Sequence, residues 1–169
     1  MSQTNGDLTS RMLGAAMFSV DTYEEVEADQ TATGQAAIVV ILASMCMAIG
    51  SWGGGPLYAG WVAFMELGSW AVWAGIAFIV GDKVFGADAT WGELLRTLGF
   101  AKAAGVLYLL AVLPFMGGLV NTVVAIWVSI ASFIGLRQAL DLGNGKTLLT
   151  WLVGALFYNL LQNFPFFPF

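Results

Sequence analysis

Five apolar stretches, at residues 34–52, 57–81, 97–113, 117–136 and 147–163, dominate this chain and restrict what it can fold into. A helix needs ~20 predominantly apolar residues to cross a hydrocarbon core, and each stretch reaches or approaches that length. The expected fold is therefore all-α: a polytopic membrane protein with five transmembrane helices, preceded by short N-terminal cytoplasmic helices.

The six cations sharpen this expectation. Arg11 precedes the first stretch, Lys83 and Arg96 lie between the second and third, Lys102 opens the third, and Arg137 and Lys146 lie between the fourth and fifth. With five spans these regions share one face, which the positive-inside bias assigns to the cytoplasm. The expected topology is N-terminus in the cytoplasm and C-terminus out.

Composition narrows the function classes. With 59% hydrophobic and 10% charged residues, the 169-residue chain has material for one bundle, residues 34–163. A polar extension, 1–33, and an aromatic tail, 164–169, complete it. The extension is acidic and does not read as a secretory signal. Histidine is absent and Cys46 is the single cysteine, which removes the usual haem and metal ligands, so no cofactor or metal is expected. A net charge of −5 with no basic cluster argues against nucleic acid. No serine sits in a G-x-S-x-G turn and no glycine-rich loop carries a Walker lysine, so no enzyme is expected.

Within the extension, Thr9 or Ser10 can cap a first helix whose apolar residues suit the headgroup region. Asp21 and Glu24 have the spacing of a capping pair for a second helix. Asp21, Glu24, Glu25, Glu27 and Asp29 form an acidic stretch that either pairs with Arg96, Lys102, Arg137 and Lys146 or docks a basic partner. Gly53 to Pro56 predict a tight turn, and Pro114 with Gly117 and Gly118 a close hairpin. Thr90 and Glu93 predict a capping box that starts a helix at Trp91. Lys102 lies one to two turns into the third stretch, where its stem can carry the charge outward. Residues 163–169 read as an interfacial aromatic belt.

Small residues recur at four-residue spacing in three stretches: Ala71 with Gly75, Ala101 with Gly105, and Ala131 with Gly135. Each pair forms a notch suited to helix packing. Glu66 is the one acid near mid-depth, and no cation is expected at matching depth. The expectation is a neutral carboxyl hydrogen-bonded to Asn121, Ser69, Tyr108 or Asn159.

The segments RMLGAA at 11–16, TYEEVEADQTATGQA at 22–36, FGADATWGELLRTLGFAKAAG at 85–105 and RQALDL at 137–142 resemble the Yip domain family, named for interaction with Ypt/Rab GTPases, in its bacterial form. The resemblance implies five helices, a cytoplasmic N-terminus and no recognised catalytic residues. Eukaryotic relatives act in vesicle traffic, but the tyrosine-containing segment of those members is not evident here. The expected function is a non-enzymatic membrane scaffold or accessory subunit of a larger membrane assembly. Its expected partners are membrane lipids and other integral membrane proteins. The alternative is a small ion- or solute-conducting protein that uses Glu66.

Overall fold

The computed structural model describes residues 6–50 and 55–162, and every described element is helical. The expected turn residues Gly53 and Gly54 and the aromatic tail at 163–169 lie outside the described residues. Seven α-helices follow in order: α1 Leu8–Ala16, α2 Val20–Ala28, α3 Ala32–Gly50, α4 Gly55–Phe78, α5 Trp91–Phe100, α6 Gly117–Leu140 and α7 Asn144–Gln162. A π-helical turn, Ile79–Val84, continues α4, and a 3-10 helix, Ala101–Val112, continues α5.

Among the described residues four helices, not five, are long and apolar enough to cross a membrane: Ala32–Gly50, Gly55–Val84, Trp91–Val112 and Gly117–Leu140. The fifth expected span coincides with α7. That helix opens on Asn144, Gly145, Lys146 and Thr147 and carries Asn159 and Gln162 near its end, which dilutes the leucine-rich run between them. It runs antiparallel to α4: Lys146 Nζ reaches the Phe85 carbonyl at 3.4 Å, Gly154 abuts Trp73, and Tyr158 meets Glu66.

Local chemistry explains the helix ends. Thr90 and Glu93 close the capping box reciprocally, with Thr90 N–H donating to Glu93 Oε2 at 2.7 Å and Glu93 N–H to Thr90 Oγ1 at 3.3 Å. The two N-terminal helices begin elsewhere than expected. Asp7 occupies the cap of α1 without a side-chain bond, and the Ser10 hydroxyl donates back to its carbonyl at 2.8 Å. Ser19, not Asp21, caps α2, accepting from Thr22 N–H at 3.3 Å. The shift follows from Phe18, whose φ of 62° ends α1 in the left-handed region and leaves Ser19 extended. Trp127 holds that turn, its ring 6.0 Å from Phe18 and its Nε1–H donating to the Ala16 carbonyl at 2.7 Å.

The main core lies where α1 and α2 meet the bundle. Tyr23 and Val26 of α2 are fully buried, with Leu94, Leu98 and Phe100 of α5 and Leu136 of α6 in the same cluster. The seam between α3 and the α5 to 3-10 segment is lined by small residues. A Cβ added at Gly99 would stand 2.7 Å from the Ala36 Cβ, and one at Gly105 would stand 2.7 Å from the Ala43 Cβ. Such proximity admits only glycine and lets the backbones approach closely.

Candidate functional site

Glu66 lies eleven residues beyond the start of α4, ~16 Å along a helix of 1.5 Å rise and so near the middle of its span. It is 4% exposed. Contrary to expectation, a cation does lie at matching depth. Lys102, 8% exposed, does not carry its charge outward; its ammonium forms an ion pair with Glu66 Oε2. The Tyr158 hydroxyl of α7 donates to Glu66 Oε1 at 2.6 Å and accepts from Lys102 Nζ at 3.3 Å. The ammonium also lies 4.8 Å from the centre of the Tyr158 ring, within cation–π range. Lys102 and Tyr158, which were not among the four candidates named from sequence, therefore bond the carboxylate, and Tyr108, which was, lines the same cavity.

This cluster joins three elements. In a 3-10 helix residues three apart eclipse one another, so Lys102, Gly105, Tyr108 and Ala111 form one column. The first three line a cavity of about 70 Å³ together with Ala43, Ser44, Met47, Glu66, Val128 and Tyr158. Next to Tyr158, Trp73 is tilted 46° at 5.8 Å. Its buried Nε1–H faces Gly154 closely and has no hydrogen-bond acceptor among the described residues.

The N-terminal helices hold a second constellation. Arg11 is 3% exposed, and its Nη2–H bonds reach Glu25 Oε1 at 2.9 Å and Asp29 Oδ2 at 2.7 Å, while Nη1–H donates to Gln35 Oε1 at 2.9 Å. Burial pulls the guanidinium pKa down, but the bonds to Asp29 and Glu25 outweigh it and the net shift is upward. Hydrogen bonds from Thr31 and Arg11 hold the Asp29 carboxyl below its ordinary value. Burial, reinforced by Glu93, raises Glu27, and burial raises the Tyr23 phenol. Arg96, expected to meet acidic side chains, instead donates from Nε to the Val26 carbonyl at 2.9 Å and from Nη2 to the Glu27 carbonyl. These are carbonyls of the last turn of α2, which have no partner within the helix.

Because the Asp29 carboxyl is depressed, its charged form favours the seated helices. That contribution is complete above the ordinary value of 3.8 and is lost as pH falls through the lowered one. Amide-exchange protection of α1, measured in detergent or nanodiscs, is expected to stay flat from neutral pH to 3.8 and to fall only below it.

Asp21 and Glu24 remain exposed and have no hydrogen bond or ion pair among the described residues; Glu25 and Asp29 are held by Arg11, and Glu27 is half-buried. Of the small residues, Ala101 and Ala131 are fully buried, Gly105 meets Ala43, and Gly135 meets the Tyr23 ring. The Ala71 carbonyl accepts from Trp91 Nε1–H at 3.3 Å, and a Cβ at Gly75 would lie 3.8 Å from the same nitrogen. Sequence reasoning missed Tyr158 and the pairing of Arg11; it named Arg96 beside the acidic stretch, but for side-chain pairing and not for the α2 carbonyls. The available signal was Lys102 itself, a second ionisable group inside an apolar stretch.

Among the described residues no group of three or more His, Cys, Asp or Glu is placed to hold a metal. No curated protein and no solved structure matches the chain. The family model of the Yip1 domain matches residues 15–162, from the end of α1 to the end of α7. The chain therefore belongs to the Yip1 domain family, a non-catalytic family of integral membrane proteins.

Proposed function

We propose that the chain is a scaffold or accessory subunit of a larger membrane assembly, and that α1 and α2 form its docking platform for a basic partner segment. The observation that carries this reading is the exposed pair Asp21 and Glu24 on a helix otherwise fixed to the bundle. Arg96 ties the carbonyls of α2 to α5, Arg11 consumes Glu25 and Asp29, and Tyr23 and Val26 are buried beneath. Unpaired charge on a rigid element steers encounter with an opposite charge at little ordering cost. Arg11, Lys83, Arg96, Arg137 and Lys146 flank the span ends on this side, which supports a cytoplasmic assignment for the platform. Small residues on α4, Gly60 and Gly68, have nothing within 4 Å of where a Cβ would stand and offer a face to a partner helix.

The test compares wild type with a double variant, Asp21→Asn and Glu24→Gln, in native pull-downs from membranes. Proteins recovered with wild type should be depleted several-fold with the variant, most visibly at low wash salt, where screening is weak. Equal recovery at every salt concentration, with amide-exchange protection of α2 intact, would show the acidic face to be merely solvated.

A further inference from the structure

The buried ion pair and the cavity beside it have no part in that docking surface. Five elements converge on the cavity: Ala43, Ser44 and Met47 from α3, Glu66 from α4, Lys102, Gly105 and Tyr108 from the 3-10 helix, Val128 from α6 and Tyr158 from α7. Its polar lining is arranged for a small hydrogen-bonding occupant. An ammonium has three N–H donors, and Glu66 and Tyr158 engage two of them. The Ser44 hydroxyl donates to the Val40 carbonyl at 2.5 Å and keeps acceptor capacity. Tyr108 adds a phenol that both donates and accepts. Water needs two to four polar partners and ~10–15 Å³ on the same volume measure, so about 70 Å³ accommodates several molecules.

We propose that this cavity is hydrated and that Glu66, Lys102 and Tyr158 form an intramembrane proton-binding site, at which Glu66 exchanges protons with an aqueous face through the cavity water. In the uptake step an O–H bond forms on the Glu66 carboxylate. The proton enters from bulk as hydronium and is relayed: the cavity water breaks one O–H bond toward Glu66 and takes a proton from the water behind it, so that no hydroxide remains, while Lys102 keeps its own proton. The charge of the pair then changes from neutral to +1, and Lys102 loses its counter-ion. Three titratable side chains face Glu66: Lys102 and Tyr158, both bonded to its carboxylate, and Tyr108; the lining residues from α3 and α6, Ser44 and Val128 among them, bring no charge.

Infrared difference spectroscopy on the full chain in nanodiscs tests this. A carboxylic-acid carbonyl band should grow reversibly on acidification, shift promptly in D₂O, and be absent from Glu66→Gln. Tyr158→Phe, which removes one hydrogen bond and retains the ring, should move the band's midpoint to higher pH. Lys102→Met should move it further, in the same direction. No Glu66-dependent band across the range in which the protein stays folded would overturn the proposal, as would a band that fails to shift in D₂O. Neither result bears on the acidic platform, whose test uses different residues and a different readout.

Discussion

Replacing Glu66 by leucine is expected to be among the most destabilising single changes in the bundle. It leaves the Lys102 ammonium buried without a counter-charge, and breaking a buried pair from one side costs about 3–5 kcal/mol. Thermal or denaturant unfolding in detergent should register it as a large fall in midpoint. The double variant Glu66→Leu with Lys102→Met should recover most of the loss, because replacing both charges with apolar residues is often neutral or even stabilising. Strong non-additivity of that kind is the signature of direct coupling. If the double variant loses as much as the two single variants summed, the two side chains do not act as a pair.

Arg96→Met carries the second large effect, nearer the start of the span that holds Lys102. It strands the Val26 and Glu27 carbonyls at the C-terminus of α2, and each buried acceptor left without a partner costs about 1–3 kcal/mol. The span itself should persist, since Leu94, Leu98 and Phe100 of α5 remain in the main core cluster. Limited proteolysis should therefore show new cuts between residues 17 and 31 with the bundle core intact. Arg96→Lys should restore protection only in part. A single ammonium keeps the charge but not the planar fork that lets one side chain serve two carbonyls.

What the sequence made legible was local. The Thr90 and Glu93 box could be read because both partners lie within one turn, and the membrane class because hydropathy accumulates along a stretch. The cap of α2 was misplaced because Asp21 and Glu24 have the right spacing in sequence, while the left-handed Phe18 decides where the helix begins. The fifth span was over-read because a leucine-rich run drew attention from the polar residues at both of its ends. Glu66 and Lys102 were each noticed, yet their pairing was invisible. They are 36 residues apart on different helices, and periodicity does not announce which faces of two helices meet. Tyr158, 92 residues from Glu66, gave no signal of its own.

The 3-10 helix also has a mechanical consequence. Its twelve residues advance ~2.0 Å each and so extend ~24 Å, whereas the same residues wound as an α-helix would extend ~18 Å. Rewinding would draw the hairpin before α6 toward the bundle centre by ~6 Å. It would also turn Tyr108 by ~120° relative to Lys102, taking the phenol out of the column it shares with the lysine. The segment is thus geared like a screw, with its length and the alignment of its polar side chains changing together.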